Sequence, residues 1–321
     1  MKGNIRTDIR LRIILSIAQA VLLSSCEDNT FPPSRYEIGH INLGSAYEVA
    51  ISENYAYVAY NKGIAVINIS DPEKPNKIKT LSTNEASFGI LIDGNTLFIG
   101  AGGNINLYAY DISNPVNPVF LSSLSVSGPV YGIKRNASNL FLSTYNGYLD
   151  VVDISNLLNL TLIESYNCQG QGNDLLFNQG FVYYANSQQG LQVIDVSDPK
   201  NPKLITTVIG TSGAWDIFAQ DNYLFLAKHM YGFDILSLDD PALPQQISTM
   251  NTGGEAYGIC NLDGYLYVSD LQEGVEIWDN SDMKQPVHIE TIEDYSPHDI
   301  IARDNLIFLA DQDRHFVILR Y

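Results

Sequence analysis

The sequence predicts an all-β fold: one domain of seven four-stranded blades packed side by side in a closed ring. Three observations carry that prediction. A segment recurs at a nearly fixed period, its central strands are apolar on both faces, and the last unit lacks one strand that a segment ahead of the first unit can supply.

The period is read most easily from Gly190-Leu-Gln-Val-Ile-Asp-Val-Ser-Asp-Pro-Lys-Asn-Pro202, a strand that runs into a Ser-Asp-Pro turn. The polar residue closing that strand recurs at Asn68, Asp111, Asp153, Asp195, Ser237 and Asp279, at spacings of 43, 42, 42, 42 and 42 residues. A fixed period in this range is the mark of a repeat architecture. Within the first unit, Tyr47 to Ser52, Tyr55 to Tyr60, Ile64 to Ile69 and Lys77 to Leu81 read as strands. They are rich in Val, Ile and Tyr, and Gly, Asn, Asp and Pro gather between them. No stretch after the leader sustains a helical apolar period. Phe98-Ile99, Leu140-Phe141-Leu142, Val182-Tyr183-Tyr184 and Leu224-Phe225-Leu226 do not alternate, so neighbours must cover both faces of each unit. Radial packing of blades does this and leaves only short edges.

The count decides closure. Six full units run from about residue 45 to 296, and a seventh offers only His298 to Ala302, Leu306 to Ala310 and Phe316 to Arg320. Tyr36 to Leu43 matches the missing outer strand. Inserted there, it closes a seven-bladed β-propeller over residues 36–321, and no edge is left unpaired.

Ahead of that domain, Lys2, Arg6, Arg10 and Arg12 precede a short apolar run from Ile13 to Leu23. A basic start, an apolar core of this length and small residues at the cut describe a secretory signal, too short to span a bilayer. Leu23-Ser24-Ser25-Cys26 resembles the lipobox of bacterial lipoproteins. It implies a signal peptide over 1–25, lipidation of Cys26 and a membrane anchor, with 26–35 as tether and linker. Glu27-Asp28-Asn29 is similar to the acidic tether of surface-exposed lipoproteins, so the expected address is the bacterial envelope, at the outer membrane and exposed on the surface.

The formal charge is −18, and without the leader 14 basic against 35 acidic residues leave −21. Such a surface repels phosphate backbones, so nucleic acid is not an expected partner. Cys168 and Cys260 lie in different units at non-equivalent positions and are expected as two free, mostly buried thiols.

Gly63-Ile-Ala-Val-Ile-Asn-Ile-Ser-Asp-Pro, Gly147-Tyr-Leu-Asp-Val-Val-Asp-Ile-Ser and the Gly190 segment resemble the LVIVD repeat of bacterial and archaeal surface proteins. The fourth unit matches best; the fifth (Ile235-Leu-Ser-Leu-Asp-Asp-Pro) and sixth (Ile277-Trp-Asp-Asn-Ser-Asp-Met) depart from it. The resemblance implies a cell-surface propeller and carries no catalytic residues.

Function is sought where the repeats differ. The Asp-x-Ser-Asp-Pro segments read as self-bonded turns rather than metal sites, because calcium needs about six convergent oxygens and these loops are spread around a ring. No metal or cofactor is expected. The residues opening the innermost strands are Tyr47, Phe88, Tyr131, Asn173, Trp215, Tyr257 and His298, each followed by Glu48, Gly89, Gly132, Asp174, Asp216, Gly258 or Asp299. These pairs should ring one mouth of the central channel, with Tyr60, Tyr145, Lys228, His229, Tyr231, Asp270, Asp311, Asp313 and His315 on turns nearby. Stacking area with a few orienting polar groups suits a glycan or protein ligand. The expected binding set is Tyr47, Glu48, Tyr131, Asp174, Trp215, Asp216, His229, Tyr257, His298 and Asp299. Two alternatives stay open: a glycan hydrolase or lyase using the acidic residues at the mouth, and a scaffold in which the mouth plays no part.

Overall fold

The computed structural model describes residues 36–321; the leader, the lipobox and Cys26 lie outside the described residues. Among the described residues there are 28 strands and no helix, arranged as seven four-stranded sheets. Six sheets are meanders in chain order. The seventh pairs Pro297–Arg303, Leu306–Asp311 and His315–Arg320 with Glu37–Ile41, which forms its outer strand. The first strand of each blade contacts the first strands of both neighbours all the way round, blade 7 back to blade 1, so the ring is closed by these strands about a central channel.

The core lies between blades rather than within them. Val58, Ala65 and Ile67 of blade 1 pack with Phe308, Phe316 and Ile318 of blade 7, and Ile38 and Ile41 of the closing strand lean on the same cluster. The opposite face of blade 1, with Tyr57, Ile64 and Val66, packs on Ile90, Leu97 and Ile99 of blade 2. Each second and third strand is therefore buried on both faces, which explains their failure to alternate in the sequence. The outermost strand is the exception: Asn76–Leu81 meets solvent along most of its length.

The repeated polar residue acts as a turn lock. The side chains of Asn68, Asp111, Asp153, Asp195, Ser237 and Asp279 each accept the backbone N–H two residues on, at 2.8–3.0 Å. These bonds hold the carboxyls of Asp111, Asp153, Asp195 and Asp279 below their ordinary range. Cys168 and Cys260 are both free thiols; Cys168 is buried, and burial pushes its pKa up to about 12.

Candidate binding site at the channel mouth

The innermost strands do not run smoothly to their ends. The pairing register slips between Ala46 and Glu48, Ser87 and Ile90, Val130 and Gly132, Gly172 and Leu175, Ala256 and Gly258, and Pro297 and Asp299. A bulge re-aims side chains that a regular strand would send to opposite faces. Its effect is that the two consecutive residues singled out in each blade both reach the channel wherever they carry a side chain. In blade 5 regular pairing begins only at Ile217, and Trp215 and Asp216 precede it on an irregular segment held by Trp215 N–H to Ala227 O (2.8 Å).

The first residues of these pairs build an aromatic collar. Tyr145 packs on Tyr131 at 5.7 Å between ring centroids, Tyr131 stacks on Phe88 at 4.5 Å, and Phe88 meets Tyr47 at 5.1 Å. The chain of contacts continues through His298 (5.6 Å) and Tyr257 (5.4 Å) to Trp215 (4.6 Å). These separations are those of favourable aromatic pairs. Blade 4 interrupts the collar with Asn173, whose amide donates to Ala214 O (2.8 Å) and accepts from Gln171 (3.0 Å). The collar surrounds a cavity of about 540 Å³, within the usual range of ligand sites.

Below the collar lies a carboxylate layer. Asp299 accepts the Val49 N–H of the next blade (2.9 Å), Glu48 that of Ile90 (3.1 Å), and Asp216 that of Ile259 (2.8 Å). Each bolts one innermost strand to the next. The other oxygen of Asp216 accepts its neighbour Ile217 N–H at 2.8 Å. Asp174 instead faces Lys134, 3.4 Å away. Glycine fills this layer in blades 2, 3 and 6 for want of room: a Cβ on Gly132 would stand 2.5 Å from the Asp174 carboxylate, and one on Gly89 2.5 Å from Tyr131 O. The Gly-containing pairs are thus a packing requirement.

Burial and mutual repulsion govern the charge of this layer. Burial, then the charges of Asp299 and its fellow carboxylates, raise Glu48 well above its ordinary value. Asp216 is raised likewise, by burial first and then by Asp174 and Asp299. Burial moves Asp299 up to about 6 against the pull of its backbone bonds. Burial works against the charge of Lys134, but Asp174, Glu48 and Asp216 together overcome it and raise its pKa. His298 is pushed down by burial, and its Nδ1 lies 2.9 Å from Ala46 O.

Nine of the ten expected binding residues line this one cavity. The tenth, His229, stands behind it: it stacks on Trp215 (5.7 Å), and its Nε2 lies 3.3 Å from the Tyr257 hydroxyl and 3.4 Å from Glu255. Several residues expected nearby are elsewhere. Tyr60 is buried between blades and bonds Thr80, because its side chain follows the inter-blade face of a regular strand. Lys228 is buried and paired with Asp234 at 2.6 Å. Asp270 and Asp311 are fully buried and cap their own turns, accepting Gln272 and Glu273 N–H, and Asp313 and Arg314 N–H. Tyr231 is exposed on a separate depression beside Met230.

Phe88, Tyr145, Gln171, Asn173, Lys134 and Cys260 also line the cavity although they fall outside the expected set. Lys134 is the telling one. In the aligned repeats its position is held elsewhere by Ala50, Leu91, Leu176, Phe218, Cys260 and Ile301, so it is the one charge in an otherwise apolar register.

Fold and site together define a seven-bladed β-propeller with an aromatic-collared, acid-floored channel. The LVIVD repeat profile matches residues 43–83, 87–126, 140–168 and 169–209, and across residues 43–209 the chain belongs to the LVIVD repeat family. The match stops where the fifth unit begins to depart from the pattern. No curated protein matches the sequence at a significant level. Among solved structures, the chain resembles the Cps50 (Swd1) β-propeller domain of Myceliophthora thermophila at 11% identity and a TM-score of 0.72, covering 89% of this chain and 99% of that one. U3-55K is similar at 11% identity and a TM-score of 0.71, covering 89% and 98%. The computationally designed Ika8 protein gives 12% and 0.65, covering 86% and 83%. At these identities the likeness concerns the fold.

Proposed function

We propose that the protein is a lipid-anchored binding module of the bacterial envelope, tethered through Cys26, whose ligand enters the channel mouth. One observation carries the reading: the mouth residues of six different blades form a continuous series of ring contacts around a ligand-sized cavity. Packing alone would be satisfied by repeating one apolar residue; here Trp, Tyr, Phe, His and Asn share the position. The acid/base alternative draws less support, since Glu48, Asp216 and Asp299 each spend an oxygen on a backbone N–H of the next blade. That favours electrostatic and architectural roles over proton transfer.

The test uses soluble residues 30–321 on glycan and peptide arrays. Retention of a ligand that Trp215→Ala abolishes without lowering the Tm is the expected result; retention unaffected by that change sinks the mouth as the binding site. For the anchor, the full chain should partition into detergent when expressed in a bacterium, and Cys26→Ser should release it. Equal partitioning of both forms counts against lipidation.

A further inference from the structure

Resting on the mouth as the binding site, we propose that the group it receives is a cation: the ammonium or guanidinium of a lysine or arginine side chain in a basic polypeptide segment. Four kinds of observation converge. The collar presents π-systems, whose negative faces attract cations at about 6 Å or less. Beneath it the floor sets four carboxylates, Glu48, Asp174, Asp216 and Asp299, against one ammonium, Lys134. The protein already seats an alkylammonium there, since Lys134 reaches Asp174 at 3.4 Å. Finally, there is exposed apolar surface on which a polypeptide could lie: Tyr145 of the collar is 46% exposed, and the turn that follows His229, which stacks on Trp215, carries Met230 and Tyr231 at 61% and 56% exposure in a separate depression.

The floor is short of positive charge by its own count. Burial and mutual repulsion disfavour full ionisation of this crowded floor and shift Glu48, Asp216 and Asp299 upward, so protons compete for the same carboxylates as an entering cation. An entering cation substitutes for those protons while its methylenes lie against the collar, so binding releases protons and weakens as pH falls below about 6. The groups facing the floor are Glu48, Lys134, Asp174, Asp216, Cys260 and Asp299, with His298 above them. A neutral sugar would gain the stacking and leave the charge imbalance untouched.

The experiment titrates residues 30–321 with four blocked pentapeptides that are identical except for a central Lys, Arg, Nε-acetyl-Lys or Glu, and with spermidine. Lys and Arg peptides should bind at least tenfold more tightly than acetyl-Lys and Glu peptides. Trp215→Ala and the pair Asp174→Asn with Asp216→Asn should each reduce that binding tenfold or more. Lys134→Met removes the resident competitor and should strengthen it, which a general loss of folding would not do. Calorimetry at pH 6.5 in two buffers of different ionisation enthalpy should show proton release. If arrays retain ligands in a Trp215-dependent way but acetyl-Lys binds as well as Lys, the cation inference fails and the mouth survives. If spermidine binds and the Lys and Arg peptides do not, the polypeptide assignment fails. If nothing is retained in a Trp215-dependent way, both readings fall.

Discussion

Lys134→Met tests the electrostatic account of the channel floor with no ligand present. The substitution keeps an unbranched apolar stem and removes the terminal ammonium, with its charge and its bond to Asp174. Breaking a fully buried ion pair costs about 3–5 kcal/mol. Here the Lys134 side chain is 32% exposed to the cavity and Asp174 17%, so screening reduces the expected loss to about 1–2 kcal/mol at pH 8. For a domain of this size that is a fall in Tm of roughly 2–4 °C. The loss should depend on pH in a defined direction. Carboxyls whose folded pKa is raised contribute stability below their ordinary pKa, and they lose it as pH rises through the folded value, about 6 for Asp299. Lys134 lowers the pKa of Glu48 and Asp299, so its removal raises them further and makes ionisation of the floor costlier. At pH 5 Asp299 is protonated and its attraction to Lys134 is absent from both proteins, so the variant's deficit should be smaller there than at pH 8, where that carboxyl is ionised. The turn-locking Asp111, Asp153, Asp195 and Asp279, whose pKa values are lowered, lose their contribution only in more acid solution and do not enter this window. Melting curves by circular dichroism at pH 5, 6, 7 and 8 measure the effect. A deficit equal at all four values refutes the reasoning, because loss of packing alone is indifferent to pH.

Further outcomes follow from the same geometry. Glu276 is buried, bonded to Trp278 Nε1 at 2.8 Å and pushed up to about 7; Glu276→Gln keeps the acceptor and should raise the Tm at pH 8.5 by a few degrees while changing little at pH 5. Gly132→Ala drives a Cβ to 2.5 Å from Asp174 and 2.7 Å from Ser143 Oγ, and should cost about 1–3 kcal/mol by chemical denaturation; a neutral result would show that the floor is loosely packed. Starting the chain at Gly44 leaves His315–Arg320 as an open edge and removes Ile38 and Ile41 from the core beside blade 1, so the truncated protein should lose several kcal/mol and aggregate. Light scattering and denaturant titration of both lengths measure it.

The scaffold was legible because its physics is local and repeated. Asp195 bonds the Ser197 N–H wherever the chain turns that way, and Tyr183 and Leu224 fail to alternate because both faces are covered. The closing strand could be placed by counting, since the seventh blade lacked one element and one segment was left over. The floor was only half legible. That Tyr47 and Glu48 point the same way depends on a register slip, which no alternation pattern encodes. Gly89 and Gly132 mark close approaches from neighbouring blades, which the repeat alignment does not show. Lys134 left a usable signal, a lone charge in an apolar register of the aligned repeats, three residues past the strand openings.

The bulges also explain why such a ring tolerates a site at all. In a regular strand, alternate residues belong to the inter-blade core, and a charge placed there would be buried without a partner, at a cost of several kcal/mol. By adding a residue before the core register resumes at Val49, Ile90, Ile133, Leu175, Ile259 and Ile300, six of the blades exempt two positions from packing, and blade 5 does so by starting its pairing only at Ile217. Those two can vary freely between blades, subject only to the space that Gly89, Gly132 and Gly258 leave. The carboxylates of blades 1, 5 and 7 then do two jobs: each accepts a backbone N–H from the next blade, which fixes the ring, and each adds to a field pointing into the cavity. Because the same bonds serve the ring and the field, removing Asp299 should weaken both. Asp299→Ala leaves the Val49 N–H without its acceptor and is expected to lower stability most at low pH, whereas Asp299→Asn keeps an acceptor and should match the parent near pH 5 and melt no lower than it above about pH 6, where the parent's carboxyl ionises. A melting profile in which Asn and Ala behave alike would separate the carboxylate from the bond and overturn the dual role.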